Sequence, residues 1–242
     1  FSKSHFIDGF SFEIATNMTT RAMIEDVSVF TAGKHSSTVS IMSADALQAI
    51  VVNHTHTYMR GLSIANRVWP ASLHGKQQLC KDTETALLGI SGSDVLGGSG
   101  SSSHVICESC RFVSNMRQCI MLTKGATLDL QECYVHANKP LWCGSPVKIN
   151  EGATLTATNS MFASNEAYVS SGAIDISGAD SELRLHQSTF AQNLARNGNG
   201  GAIAVTQGAQ VSISDNVWFT GNRADNSGGA IHVTDSGSGI EA

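Results

Sequence analysis

The chain has 242 residues and a formal net charge of −5, and charged residues make up only 14% of it, against roughly 25% in an average soluble domain. With no run of Lys or Arg, this balance excludes the electrostatic footprint of a nucleic-acid binder. No apolar stretch approaches the ~20 residues needed to span a bilayer, and no basic segment followed by an apolar core marks a signal peptide behind Phe1.

From the N-terminus, the first elements are weakly patterned. Ile7 to Ile14 alternates and ends near Asn17, and Gly61-Leu62-Ser63-Ile64 ends at Asn66. Asn115 lies as far beyond Asn66 as Asn66 lies beyond Asn17, and each of these equal steps reads as two short coils. Residues 1–106 are thus expected to form irregular, shorter coils. The Gly/Ser-rich run 89–103 is expected to be an excursion loop rather than a linker.

From residue 107 onward the chain repeats. Gly-Ala-Ile occurs at Gly172, Gly201 and Gly229, at a nearly constant interval. An apolar residue, two spacers and Asn recur as Phe112-Asn115, Val135-Asn138, Phe162-Asn165, Phe190-Asn193 and Phe219-Asn222. Between them lie Gly125-Ala126-Thr127-Leu128, Gly152-Ala153-Thr154-Leu155 and Gly208-Ala209-Gln210-Val211. Each unit holds three short alternating segments, such as Ile203–Val205, Val211–Ile213 and Trp218-Phe219. Period-2 alternation in segments this short reads as half-buried strand.

Three strands per coil, repeated, predict an all-β fold: a right-handed, single-stranded parallel β-helix of roughly nine coils of about 24–29 residues. It is expected to run through 1–242 as one domain, and the regular coils over 107–242 are expected to hold about 27–29 residues each. Ala230-Ile231-His232-Val233 begins a pattern complete upstream, so the chain reads as a piece of a longer one.

Recurrence across coils marks structure. Phe112, Phe162, Phe190 and Phe219 are expected to stack inside. Asn115, Asn138, Asn165, Asn193 and Asn222 are expected to form a hydrogen-bonded ladder. The Gly before Ala-Ile is expected to supply a positive φ.

Six cysteines lie in the middle third. An even number without a metal-finger spacing favours disulfides and an oxidising compartment. Cys110 and Cys133 are separated by the same step as Asn115 and Asn138, so they are expected to stack and pair. Cys119 with Cys143 and Cys80 with Cys107 complete the expected set; Cys107-x-x-Cys110 as a metal site is the alternative. Asn17 and Asn53 head N-x-T sequons that agree with a secretory route.

His54-Thr55-His56 places two imidazoles at strand spacing, which reads first as exposed histidine and second as a metal pair. His5, His74, His104, His136, His186 and His232 show no ligand spacing. The outward columns are expected to read Met121, Lys148, Asp175, Ala204, His232, and Asp129, Thr156, Arg184, Ser212. A lyase needs clustered carboxylates with a base, and a hydrolase a carboxylate pair. Neither column stacks two acids, so no catalytic residue, metal or cofactor is expected. Asp94 and Glu108 are the remote candidates.

Gly-Gly-Ala-Ile alternating with Phe-x-x-Asn resembles the repeats of the chlamydial polymorphic outer-membrane proteins, within the pectin-lyase-like superfamily. The resemblance is strong from Val147 to Val233 and partial from Cys107 to Ser145. It implies a surface-exposed β-helix with an adhesive or architectural role. The expected function is therefore a non-enzymatic extracellular or cell-surface adhesin or scaffold that binds glycans or surface proteins along its side. The alternatives are a carbohydrate-active enzyme, lyase or hydrolase, and a structural subunit of a larger surface assembly.

Overall fold

The computed structural model describes residues 103–242 except 116–117 and 141–143, and before them seven strands within 5–91. Among the described residues, twenty-six short strands, β1 to β26 in chain order, wind into a parallel β-helix with three main sheets. The first sheet contains β7 (Leu88–Ser91), β10 (Ile120–Thr123), β13 (Val147–Ile149), β17 (Ile174–Ser177), β21 (Ile203–Thr206) and β25 (Ile231–Val233). The second contains β5 (His56–Arg60), β8 (His104–Glu108), β11 (Thr127–Gln131), β14 (Thr154–Thr158), β18 (Glu182–His186) and β22 (Gln210–Ser214). The third contains β6 (Ser63–Asn66), β9 (Arg111–Val113), β12 (Tyr134–His136), β15 (Met161–Ala163), β19 (Thr189–Ala191) and β23 (Trp218–Thr220). A fourth, three-stranded sheet joins Glu166–Ala167, Leu194–Ala195 and Arg223–Ala224, an addition to the expected three strands per coil.

Left-handed residues turn the corners between the second and third sheets, one at each corner but the last, where Asn216 follows Asp215 in the same conformation. Ser109, Glu132, Asn159, Gln187 and Asp215 all have φ between 46° and 54°. The alternating side chains then fall inward in columns, Val105, Leu128, Leu155, Leu183 and Val211 among them, each 0–1% exposed. Three of the four expected aromatics stack, Phe162 and Phe190 at 4.7 Å and 3°, Phe190 and Phe219 at 5.0 Å and 13°, while Val135 stands between Phe112 and Phe162 in the same column. The asparagine ladder is regular. Each Nδ2 donates to the Oδ1 of the next Asn at 2.9–3.0 Å from Asn115 through Asn193, and Oδ1 also accepts the preceding backbone N–H.

Three expectations change. The N-terminal coils are uneven rather than uniformly shorter: His5 faces Ser28 at the same step as Phe112 to Val135, whereas β6 pairs directly with β9 and sets Ile64 against Phe112 in one coil, about twice that step. The same register sets Asn66 against Ser114, one place short of Asn115, and Asn17 lies outside the described residues. The count falls below nine: the described strands make sheets eight, eight and seven strands deep, and about five turns lie in the stretch 103–242. Gly89 to Ser91, expected in the excursion loop, belong to β7, so any loop begins later.

The third change concerns glycine. Positive φ belongs to the extra glycines Gly200 (70°) and Gly228 (69°), not to Gly172, Gly201 and Gly229. At Gly172 and Gly201 the constraint is space: an added Cβ would lie 2.1 Å and 2.0 Å from the carbonyl oxygen of the next glycine in the column.

Candidate functional site

The outer face of the second sheet carries the densest polar chemistry. Its register aligns His104, Thr127, Thr154, Glu182 and Gln210; Ile106, Asp129, Thr156, Arg184 and Ser212; and Glu108, Gln131, Thr158, His186 and Ser214. The column expected from Asp129 to Ser212 is thus in place. So is the column Met121, Lys148, Asp175, Ala204, His232 on the first sheet. There, however, Met121 and Ala204 are buried, so that column is not an open surface.

A histidine–carboxylate contact and an arginine–glutamate ion pair order the second-sheet face. His104 Nε2 lies 3.0 Å from Asp129 Oδ2. Arg184 forks onto Glu182, Nε to Oε1 at 2.7 Å and Nη2 to Oε2 at 2.6 Å. Hydrogen bonding to Arg184 holds the Glu182 carboxyl below its ordinary range, and the same bond raises the guanidinium. His186 Nδ1 bonds Ser214 Oγ. Between the pairs, Thr127, Thr154, Thr156 and Thr158 present neutral hydroxyls on neighbouring strands. Adjacent strands stand ~4.8 Å apart and alternate residues ~6.6 Å apart.

Asp175 on the first sheet accepts from Ser170 Oγ at 2.7 Å. Burial pushes its carboxyl up, against the Ser170 bond and nearby Lys148. A folded-state pKa above the unfolded one stabilises at low pH, and that contribution is lost as pH rises through the folded value. Asp175→Asn is therefore expected to be more stable than the parent at neutral pH, with the difference shrinking as pH falls toward 4. Urea midpoints across that range measure it.

The described cysteines have hydrogen-bonding surroundings of their own. Cys107, Cys110, Cys119 and Cys133 are buried thiols in this structure, and Cys80 and Cys143 lie outside the described residues. Cys110 and Cys133 do stack, as Tyr134 N–H donates to Cys110 O. Their slot continues through Ser160 and Ser188, and the four side chains make the same bonds. Cys133 Sγ donates to Cys107 O at 3.2 Å and to Gln131 O at 3.4 Å; Ser160 Oγ donates to Leu130 O at 3.3 Å and Thr158 O at 2.9 Å. The sulfur thus occupies a serine position. Hydrogen bonding with Cys110 and burial push the Cys133 thiol up, and burial does the same for Cys119, which keeps both protonated and slow to exchange.

For Cys119 the expected partner, Cys143, lies outside the described residues. The Cys119 backbone N–H donates to Pro146 O of the next coil. Cys133→Ser is accordingly expected to cost less than ~1 kcal/mol of unfolding free energy, in reducing and non-reducing buffer alike. A disulfide to Cys110 would instead make the loss several-fold larger without reductant.

Of the remaining candidates, Glu108 lies on β8 of this face, and Asp94, His54 and Asn17 lie outside the described residues. Asn53 closes a strand, Ile50–Asn53. Among the described residues no three His, Cys, Asp or Glu side chains gather as a metal-binding group. No helix among them is long and apolar enough to cross a membrane. Residue-by-residue reading passed over His104, since its partner Asp129 lies a full coil further along the chain; only the coil register joins the two.

A family model described as a right handed beta helix region matches residues 101–242. Neither the curated proteins nor the solved structures give a match.

Proposed function

The chain belongs to the right-handed β-helix family, and from that premise we propose that it is a non-enzymatic extracellular or cell-surface module, an adhesin or scaffold. It holds glycan or protein partners along the outer face of its second sheet. The observation that carries this reading is the hydroxyl grid of Thr127, Thr154, Thr156 and Thr158, continued by Gln131, Ser212 and Ser214. Repeated neutral donors and acceptors on a stiff sheet suit weak bonds to many sugar hydroxyls, whose strength grows by multivalency. The likeness of its repeats to surface adhesins of the polymorphic outer-membrane type supports the same role.

Glycan and surface-protein arrays test it. The 242-residue chain is expected to bind a subset of glycans, and Thr154→Val with Thr156→Val is expected to weaken that binding at least tenfold with an unchanged circular dichroism spectrum. Absence of binding, or binding indifferent to the double substitution, overturns the proposal.

One observation favours a second reading, a carbohydrate-active enzyme. Register brings His56, Tyr58 and Arg60 of β5 beside His104 and Glu108 of β8, next to Asp129 of β11. Acids, bases and a phenol thus fall at neighbouring register positions of the second sheet. Release of reducing or unsaturated ends from a polysaccharide, abolished by Asp129→Asn, would place this reading first.

A further inference from the structure

The outer face of the third sheet carries a column of a different kind from the threonine grid. Its register aligns Arg111, Tyr134, Met161, Thr189 and Trp218, one per coil. Trp218 is 66% exposed and Met161 37%, in a chain that holds only three Trp and three Tyr. Arg, Tyr, Met and Trp are the residues enriched at the centres of protein interfaces. Tyr134 is already ordered by stacking on His136, with ring centroids 5.0 Å apart and planes at 11°, so it has little side-chain freedom left to lose on contact. Although the net charge of the chain is −5, no carboxylate stands among the described outward residues of this sheet.

The column is complementary to its own reverse. A two-fold axis parallel to the strands and passing over Met161 sets one sheet face on another, ~10 Å away, with the two helix axes antiparallel. Arg111 of each copy then meets the indole of Trp218 of the other, Tyr134 meets Thr189, and Met161 meets its own counterpart. From this complementarity we infer that the outer face of the third sheet is the contact surface of a homodimer, closed by two Arg111–Trp218 cation–π contacts. Beside the column, Ala163 and Ala191 keep the sheet surface low enough for the faces to approach. At the corner bordering the second sheet, Glu132 meets Gln187 and Asp215 meets Ser109, so each of these charges faces a neutral group. The two Arg111 stay about 19 Å apart along the column at ~4.8 Å per strand, well beyond the Debye length of ~8 Å at physiological salt. With the helix axes parallel instead, they would stand only about 7 Å apart sideways, and Trp218 would meet Thr220. Charge thus selects the antiparallel pairing. The described face is small beside a standard interface of ~800 Å² per partner, so the dimer is weak and exchanges readily. It uses none of the second-sheet threonines and stands whether or not they bind glycans.

Sedimentation velocity of the purified 242-residue chain over a concentration series tests it. The parent is expected to pass reversibly from monomer to dimer as concentration rises. Arg111→Glu should weaken the dimer at least tenfold, because a carboxylate then meets the negative face of the indole, and Trp218→Arg as much, because two guanidinium groups then meet. Combining the two changes should restore dimerisation to within a few-fold of the parent, since opposite charges face each other again. Thr156→Val, on the second sheet, should leave the dimer unchanged. Arg111 and Trp218 are both exposed, so every variant is expected to keep the circular dichroism spectrum and thermal midpoint of the parent. A parent that stays monomeric throughout the series, a dimer indifferent to the two single changes, or a double variant that fails to recover overturns the inference.

Discussion

Replacing Gly201 with alanine is expected to lower the unfolding free energy by at least about 3 kcal/mol, while the same change at Gly229 should cost less than ~1 kcal/mol. The two residues occupy equivalent places in Gly-Gly-Ala-Ile, and neither has a positive φ. What separates them is the backbone above. A Cβ on Gly201 would meet Gly229 O at 2.0 Å, Arg223 N at 2.5 Å and Arg223 C at 2.7 Å. All three are main-chain atoms tied into the next coil, since Arg223 N–H donates to Asn193 O and Gly201 N–H to Gly228 O. No rotamer change relieves such a clash, so the coils must separate locally and break these bonds. A Cβ on Gly229 would find only Asn222 O at 3.8 Å, ordinary contact. Urea titration of the two variants followed by circular dichroism measures the contrast. Equal losses would mean that conformational freedom, not space, fixes this glycine.

This pair of glycines also shows what a repeating sequence reveals and what it conceals. The period of the Gly, Phe and Asn motifs carries the strand order, the coil length and the inward columns, because each coil must present the same shape to its neighbours. From Phe112 to Phe219 those inferences match the register pair by pair. The physical role of a recurring residue is less accessible: Gly201 and Gly200 look alike in sequence, and only the structure shows that space alone constrains the first while the second also needs a positive φ. Before residue 107 the coils carry insertions, so equal spacing of Asn17, Asn66 and Asn115 misleads. Strand pairing instead gives one long step, the same from Ile64 to Phe112 as from His56 to His104. The candidate site sits at this irregular boundary, where His104 meets Asp129 only through the register. The cysteine slot was hidden for a related reason. An identical spacing of Cys110 and Cys133 suits a disulfide as well as a hydrogen-bonding column, and it is Ser160 and Ser188 in the same column that disclose the second use.

The asparagine ladder supplies the other large expected effect. Asn165→Ala should cost about 3–5 kcal/mol, and Asn222→Ala distinctly less. Asn165 is fully buried and works in four directions. Its Oδ1 accepts the Asn138 backbone N–H at 3.1 Å and Asn138 Nδ2 at 2.9 Å, while its Nδ2 donates to Val135 O at 2.9 Å and Asn193 Oδ1 at 3.0 Å. Truncation leaves the Asn138 N–H and side-chain amide facing a dry gap, and each buried polar group left without its partner costs roughly 1–3 kcal/mol. Leucine in place of alanine fills the volume but restores none of the bonds, so Asn165→Leu should recover little. Asn222 makes the equivalent bonds to Asn193 and Phe190 O, yet it is only partly buried, so water replaces part of what its removal takes away. Aspartate is the sharper probe. Asn165→Asp keeps the shape and the acceptor oxygen but has no donor for Val135 O and Asn193 Oδ1 when ionised. Its loss should therefore be greatest at neutral pH and ease as the carboxyl protonates in acid, a dependence that a merely steric role for Asn165 would not produce.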